Sequence, residues 1–262
     1  MKHVQIKGFN HYFDDINSGK EEAILLVHGH PFDHSMWNYQ IEVLSNFRLI
    51  LPDLNGYGKT DGKSQKIFIE EHALDLALLL DELKIQKVHL IGLSMGGQII
   101  VEFTRLFPHR VSSLVICGSS PAGETKTSYF KRLELAERIQ SVGMKKYAEQ
   151  DIHKYLHPNT INKKGKAYNH LFEMMINTKA ESAAASHKGR AERRDNFNFL
   201  RKINVPVLVV VGDSDFFTPP GEIEIVAKQI SKSKFEVIPD AGHLPNMEQP
   251  EIFNKLLTDF YS

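Results

Sequence analysis

The sequence predicts an α/β protein: a doubly wound, mostly parallel sheet that carries an inserted all-helical cap. Short apolar runs alternate with segments of helical period, which favours a sheet covered by helices on both faces. The runs are continuous rather than alternating, as expected for buried parallel strands. Residues 119–203 interrupt this alternation, because they contain several helix candidates and no convincing strand.

The apolar runs predict six strands, and the helical periods between them predict four helices. The strands are expected at Ala23–Val27, Phe47–Leu51, Lys87–Ile91, Ser113–Cys117, Val205–Val211 and Lys234–Ile238. The helices are expected at Phe68–Leu83, Gln98–Phe107, Glu222–Ile230 and Ile252–Phe260.

The inserted segment, residues 119–203, is called the cap, and residues 1–118 and 204–262 the core. Cap helices are expected at Ser128–Val142, Lys145–Leu156, Ala167–Ile176 and Ala180–Arg193. The cap holds 17 Lys+Arg and 9 Asp+Glu, a net charge of +8, and the core has the opposite −8. This division predicts a basic cap over an acidic core. The alternative is an uneven spread of charge over solvated helix faces.

Composition excludes several classes of protein. The 262 residues include 32 Lys+Arg and 32 Asp+Glu, without the basic excess of a nucleic-acid binder. A single cysteine excludes an intramolecular disulfide framework, a thiolate zinc site and an iron–sulfur cluster. No apolar run reaches the ~18 residues of a membrane span, and the first residues lack the apolar region of a secretory signal. We therefore expect a cytoplasmic protein without nucleic-acid or membrane partners.

The segment Gly92-Leu93-Ser94-Met95-Gly96 follows a predicted strand and precedes a predicted helix. A G-x-S-x-G at such a junction is the nucleophile-elbow pattern, in which a tight turn exposes the serine hydroxyl above the sheet. Small residues must flank the serine because the turn is so tight. The pattern predicts Ser94 as a nucleophile.

A second loop, His28-Gly29-His30-Pro31, follows the strand Ala23–Val27. A serine nucleophile needs two hydrogen-bond donors for the oxyanion that develops in the transition state. The backbone N–H groups of Met95 and His30 are the predicted donors. Gly29 permits a close approach of the backbone.

The acid and the base are expected in two later loops. Gly212-Asp213-Ser214-Asp215 follows the strongest predicted strand, and His243 lies in a loop after the last one. Asp215 is the favoured acid, and Asp213 is the alternative, otherwise a turn residue bonded to its own loop. The order Ser94, Asp215, His243 then places three reactive side chains at strand ends, where ligands bind in open α/β sheets.

The sequence resembles the α/β-hydrolase superfamily. The resemblance covers about residues 20–118 and 204–262 and rests on HGHPFDHSMW (28–37), PDLNGYGKTDG (52–62), GLSMGGQ (92–98), GDSDFFTPP (212–220) and AGHLPNMEQP (241–250). It is closest in character to carboxylesterases, 3-oxoadipate enol-lactonases and carbon–carbon bond hydrolases. The family's acid matches Asp215. The chain departs from the family at Asn55 and Thr60, where arginine and serine are common.

The resemblance implies an acyl hydrolase for small esters or lactones that acts through an acyl-enzyme intermediate, with water as second substrate and no metal or organic cofactor. A serine at the elbow argues against relatives with a carboxylate nucleophile. Two alternatives stay open: a carbon–carbon bond hydrolase of the same fold, and a slow-turnover small-molecule receptor on this scaffold. No oligomeric state is predicted.

The substrate pocket is expected to include Gly29, Phe32, Phe216, Leu244 and Arg190. A basic cap favours anionic substrates, and carbon–carbon bond hydrolases of the family usually hold a substrate carboxylate with an arginine, here Arg190 or Arg193. The run from His28 to His34 resembles a metal-ligand motif, but its spacing is one residue too long, so no metal site is predicted.

Overall fold

The computed structural model describes residues 1–62 and 65–262. Within them, one eight-stranded sheet has the order β1-β2-β4-β3-β5-β6-β7-β8. The strands are β1 (Lys2–Ile6), β2 (Phe9–Ile16), β3 (Ala23–Val27), β4 (Arg48–Pro52), β5 (Val88–Leu93), β6 (Val111–Cys117), β7 (Val207–Gly212) and β8 (Ser233–Ile238). The pairs β1–β2 and β2–β4 are antiparallel, and the remaining pairs are parallel. The prediction of a doubly wound, mostly parallel sheet is confirmed.

Helices cover both faces of the sheet, and each predicted core helix is present with shifted ends. The helices are α1 (Ile69–Glu82), α2 (Met95–Leu106), α3 (Lys126–Asp151), α4 (Pro158–Lys163), α5 (Lys166–Asn177), α6 (Ala180–Ala191), α7 (Pro220–Lys228), α8 (Pro245–Glu248) and α9 (Pro250–Tyr261). Helices α3 to α6 lie between β6 and β7, within the predicted cap. In α3, Gly143 has φ 77°, a kink that joins the two helices expected there.

The core has two parts, one on each face of the sheet. In β3, Leu25 and Val27 pack with residues of α1 and α2, whereas Ile24 and Leu26 pack with Trp37 and with α9. This alternation explains why the strand is apolar at every position. Apolar residues of α3 and α5 belong to the same cluster as Ile24 and Leu26, so the apolar interior of the cap is continuous with the core on this side of the sheet.

The topology determines where the site forms. Strands β3, β5, β6, β7 and β8 run parallel, so their carboxyl ends meet at one edge of the sheet. The loops with His30, Ser94, Asp215 and His243 follow four of these strands. Chemistry on this scaffold is expected at that edge.

His72 lies fully buried on α1, and neither of its ring nitrogens has a hydrogen-bond partner within residues 1–62 and 65–262. Burial, followed by the neighbouring His28 and His11, lowers the pKa of His72 to about 3. The unfolded chain therefore binds a proton near pH 6.5 that the folded chain does not accept. The resulting stability is present above pH 6.5 and declines as the pH falls.

We expect the free energy of unfolding to fall by about 2 kcal/mol between pH 6.5 and pH 5 through His72 alone. Urea denaturation across this range should show a weaker pH dependence in His72→Phe than in the wild type. His109 is exposed, so His109→Gln serves as control. An equal slope for wild type and His72→Phe would contradict the assignment.

Candidate active site

Ser94 occupies the turn between β5 and α2 with φ 55°, a left-handed conformation unusual for a residue other than glycine. Two hydrogen bonds to the end of β6 hold the turn: Ser94 N–H donates to Cys117 O at 2.8 Å, and Ser119 Oγ donates to Ser94 O at 2.7 Å. This strained geometry is that of a nucleophile elbow.

The glycines around Ser94 are required by close backbone approaches. A Cβ atom on Gly92 would lie 2.5 Å from Gly96 O, and one on Gly96 would overlap the carbonyl oxygen of Val27. A Cβ on Gly97 would overlap the side chain of Ser119. The G-x-S-x-G-G pattern therefore reflects the packing of α2 against β3 and β5.

Asp215 and His243 form a buried pair, with Asp215 Oδ2 2.8 Å from His243 Nδ1. Asp215 also accepts from the backbone N–H of Phe217 (2.9 Å) and Thr218 (3.0 Å), and from Thr218 Oγ1 (2.7 Å). Burial alone would raise the pKa of Asp215, but His243 and the Thr218 bonds outweigh it and lower that pKa. An ionised Asp215 can orient the imidazole and stabilise its protonated form.

Asp213, the alternative acid, points elsewhere. Its carboxylate accepts the backbone N–H groups of Asp240 (3.0 Å) and Ala241 (3.3 Å). Asp213 therefore binds the backbone of the loop that carries His243, whereas the sequence predicted bonds within its own loop. The structure brings Asp215 rather than Asp213 to His243.

The histidine loop and the cap are clamped together. His243 N–H donates to Tyr155 O at 2.8 Å, and the Glu248 carboxylate accepts from both Gly242 N–H (2.8 Å) and His157 N–H (2.7 Å). A Cβ on Gly242 would lie 2.7 Å from the backbone of Leu156 and His157. Burial raises the pKa of Glu248. We call this corner, residues 155–157 with 242–248, the cap clamp.

A cavity of about 570 Å³ lies between the cap and the carboxyl edge of the sheet. Ser94 and His243 line it together with His30, Tyr155 and Phe217. In the described part of the chain, Ser94 Oγ makes no hydrogen bond to the His243 ring. Such looseness is common in sites without substrate. The volume suits a small organic molecule.

The predicted oxyanion donors are the backbone N–H groups of His30, which lines this cavity, and of Met95, which follows Ser94 at the start of α2. Within residues 1–62 and 65–262, neither group donates to a protein acceptor. Backbone N–H groups in buried segments are nearly always paired, so two free ones beside Ser94 suit a developing oxyanion.

The structure corrects most of the expected pocket residues. Phe216 is 64% exposed and does not line the cavity; its neighbour Phe217 does. Phe32 and Leu244 are fully buried in the hydrophobic core and are not among the residues that line the cavity. Gly29 is packed so closely that an added Cβ would lie 3.0 Å from the Phe32 ring. Arg190 lines the cavity as expected.

Arg190 is a buried cation without an acidic partner among the described residues, and its Nε donates only to Gln98 Oε1 at 3.3 Å. Burial, followed by Arg132 and Arg193, lowers the pKa of its guanidinium. Arg193 and Arg132 share the single carboxylate of Glu124, so each has an acidic partner but the pair keeps a net positive charge. An unpaired buried guanidinium is costly unless a ligand supplies the anion.

A sequence profile of the alpha/beta hydrolase family matches residues 24–256, which is most of the chain. The chain belongs to this family. The profile spans the core strands from β3 onward, the cap and the loops with Ser94, Asp215 and His243. The resemblance inferred from the motifs is confirmed.

Relatives of this hydrolase carry different names. It is 27% identical to a putative 2-succinyl-6-hydroxy-2,4-cyclohexadiene-1-carboxylate synthase of Bacillus subtilis (strain 168), over 97% of this chain and 95% of that protein. It is 27% identical to 3-oxoadipate enol-lactonase 1 of Acinetobacter baylyi, over 93% and 90%. Its structure aligns with a thermophilic esterase from Thermogutta terrifontis, determined with malate bound, at TM-score 0.94 and 34% identity, over 100% and 98%.

One part of the metal-like run of the hydrolase converges and the other part does not. His28 Nε2 accepts from Leu54 N–H, and His30 Nδ1 bonds Tyr57, so the two rings point to different partners. Among the described residues, Asp33, His34 and Asp53 place ligand atoms within 4.8 Å of one another. His34 Nδ1 and Asp53 Oδ1 are already hydrogen-bonded at 2.7 Å. Burial lowers the pKa of His34, but the hydrogen bond and the charge of Asp53 outweigh burial, so the pKa is raised overall.

No helix in the described residues of the hydrolase meets the length and apolarity that crossing a bilayer requires.

Sequence reasoning missed several residues of the hydrolase site. His187 belongs to no motif, and Tyr57 and Glu248 lie in the motif segments 52–62 and 241–250 without an assigned role, yet each contacts a loop that carries a predicted site residue. Tyr155 supplies a backbone acceptor from the cap. No sequence signal assigns these contacts, because they depend on how the loops and the cap pack together.

Proposed function

We propose that this hydrolase cleaves esters or lactones of small carboxylate-bearing molecules, with Ser94 as nucleophile, His243 as base and Asp215 as its orienting acid. The observation that carries the proposal is the buried Asp215–His243 pair at 2.8 Å beside Ser94 on one cavity. Together with the free backbone N–H groups of His30 and Met95, it supplies each group that acyl transfer needs.

The reaction proceeds in two steps. Ser94 Oγ attacks the substrate carbonyl carbon while His243 takes the hydroxyl proton, and the resulting oxyanion is held by the His30 and Met95 N–H groups. His243 then donates the proton to the leaving alkoxide, which leaves an acyl-enzyme. Water attacks the acyl-enzyme with His243 again as base, and the acid and free Ser94 are released.

The carboxylate preference rests on Arg190. Its charge is buried at the cavity wall and compensated by no protein carboxylate among the described residues. A substrate carboxylate would supply the missing partner through charge-assisted hydrogen bonds. The malate in the related thermophilic esterase is a dicarboxylate and is consistent with this assignment.

The proposed reaction is tested with p-nitrophenyl esters from acetate to octanoate, and by labelling with a fluorophosphonate followed by peptide mass spectrometry. We expect multiple turnovers and one label per chain, on Ser94. Labelling of Ser94 with less than one turnover per minute would instead favour a receptor or a carbon–carbon bond hydrolase. Turnover with no label on Ser94 would contradict the nucleophile.

Arg190→Gln should lower kcat/KM for a carboxylate-bearing ester, mono-p-nitrophenyl glutarate, by about 100-fold, because the substrate anion loses a buried partner. The neutral methyl ester of the same substrate should lose much less. Arg194 is exposed and lies outside this cavity, so Arg194→Gln is the matched control. Equal losses for the two substrates would show that Arg190 does not bind the carboxylate.

A further inference from the structure

The amide of Gln98 is a neutral support for the buried Arg190 guanidinium. Arg190 Nε donates to Gln98 Oε1 at 3.3 Å, and Gln98 Nε2 donates to Ser120 O at 3.3 Å. A guanidinium has no acceptor and a carbonyl has no donor, so the two partners together fix which end of the amide faces Arg190. Gln98 and Arg190 are both buried and both line the cavity.

The backbone of Gln98 also belongs to the nucleophile elbow. Gln98 lies one helical turn after Ser94, and its N–H donates to Ser94 O at 3.2 Å. Its side-chain acceptor, Ser120, follows β6, the strand whose last residue, Cys117, binds Ser94 N–H. Gln98 therefore fixes Arg190, a cap residue, relative to core groups that hold the nucleophile.

The carboxylate one turn further along α2, Glu102, is engaged by a different cation. Arg105 binds it in a bidentate pair, with Nη2 2.6 Å from Oε1 and Nε 3.1 Å from Oε2. Bidentate pairs of this kind are strong and directional. Helix α2 therefore presents Arg190 with the amide of Gln98 and not with the carboxylate of Glu102.

Glu124, a carboxylate that lines the same cavity, is shared by Arg132 and Arg193. Burial alone would raise the pKa of Glu124, but the charges of these two arginines outweigh burial and lower the pKa to about 2. Glu124 is thus ionised and already has an excess of cationic partners. Within residues 1–62 and 65–262, Arg190 pairs with no acid, and its charge stays uncompensated.

We infer that Gln98 determines the preference for anionic substrates, because its neutral amide supports Arg190 and leaves the guanidinium charge for a carboxylate of the substrate. This inference rests on the proposed function and adds a specificity-determining residue to it. A 3.3 Å contact with a neutral oxygen is a weak bond. A substrate carboxylate can form stronger, charge-assisted bonds to the Nη groups of Arg190.

The decisive variant is Gln98→Glu, which keeps nearly the same shape but supplies the counterion of Arg190 from within the protein. The carboxylate preference is kcat/KM for mono-p-nitrophenyl glutarate divided by kcat/KM for its neutral methyl ester. Gln98→Glu should lower this preference at least tenfold. The change should appear as a higher KM for the glutarate ester, with little change in kcat or in the KM of the methyl ester.

Gln98→Met separates the added charge from the lost hydrogen bonds. This variant also loses the bond to Ser120 O but introduces no carboxylate, so we expect the preference to fall by only about threefold. If Gln98 acts through Arg190, Gln98→Met should not change the residual preference of Arg190→Gln protein. Independent, additive effects of the two substitutions would overturn the inference.

Ser128→Glu is the matched control for a new charge in the cavity. Ser128 is exposed, lines the same cavity and lies in the first turn of α3, where acidic side chains are favourable. We expect the carboxylate preference to change less than threefold, because solvent screens an exposed charge. A loss as large as that of Gln98→Glu would show a general effect of charge and would overturn the role of Gln98.

A binding measurement keeps the inference testable without turnover. Calorimetry on Ser94→Ala protein, with and without Gln98→Glu, compares monomethyl glutarate with dimethyl glutarate as ligands. Tighter binding of the monomethyl ester that Gln98→Glu abolishes supports the inference, even if the chain hydrolyses no ester. A preference that survives Gln98→Glu overturns the inference alone. No preference in Ser94→Ala protein contradicts carboxylate binding by Arg190, and with it both proposals.

Discussion

Ser94→Ala is expected to lower kcat/KM for p-nitrophenyl esters by about 10⁴-fold or more, because no other group at the elbow can form the acyl-enzyme. The left-handed turn at φ 55° tolerates alanine no worse than serine, and the backbone bonds to Cys117 and Ser119 remain. The loss should therefore appear in kcat, with little change in thermal stability. Initial-rate assays with p-nitrophenyl esters on the purified wild type and variant measure this loss directly.

Ser119→Ala is the matched control for this experiment. Ser119 lines the same cavity, and its hydroxyl donates to Ser94 O. The alanine variant therefore loses one hydrogen bond that holds the Ser94 turn but keeps the nucleophile. We expect a loss of less than about tenfold, since one neutral hydrogen bond is lost. If Ser94→Ala retained a tenth of the activity, or if both variants were equally impaired, Ser94 would not be the nucleophile.

Asp215→Asn should lower kcat by about 10⁴-fold with the fold intact. An amide at this position can donate to Nδ1, which would place the imidazole proton on the nitrogen that faces the cavity and prevent it from accepting the Ser94 proton. The amide oxygen can still accept the N–H groups of Phe217 and Thr218. The value of kcat should therefore fall strongly, whereas the midpoint of thermal unfolding should change little.

Asp213→Asn provides the comparison, because it makes the same chemical change two residues away in the same loop. Among the described residues, the Asp213 carboxylate accepts from the backbone N–H groups of Asp240 and Ala241 alone, both in the loop that carries His243. We expect a modest loss of stability, about 1 kcal/mol, and a loss of kcat below about tenfold. Kinetic defects of equal size in the two variants would contradict the assignment of Asp215 as the orienting acid.

Much of the fold could be predicted because the central strands are continuous apolar runs. Strands β1 and β2 were missed for a physical reason: they form the antiparallel edge of the sheet, and most of their residues are exposed or half-buried. Their polar, charged sequence lacks the signal that identifies buried strands. The two helices that the sequence predicted on either side of Gly143 are present within α3, separated by the non-helical backbone of Gly143.

The candidate site was predictable to the extent that its residues follow strands. Ser94, Asp215 and His243 come directly after parallel strands, so chain order and strand ends bring them together. Phe216 and Phe217 could not be distinguished, because which ring faces the cavity depends on the turn that Asp215 organises. The contacts of His30 with Tyr57 and of His187 with Arg132 join residues that are distant in sequence, so only the packing of the fold brings them together. The roles of the site residues and the boundaries of the cap stay predictions.

The cap clamp has a consequence for exchanging caps between relatives. His243 N–H is held by the cap residue Tyr155, and the Glu248 carboxylate joins Gly242 to His157. A graft that replaced residues 119–203 alone would exchange the cap partner in two of these three contacts, and the position of the imidazole would change together with the cavity wall. Residues 155–157 and 242–248 should therefore be transplanted as one module, so that a chimera can acquire a new specificity without losing its base.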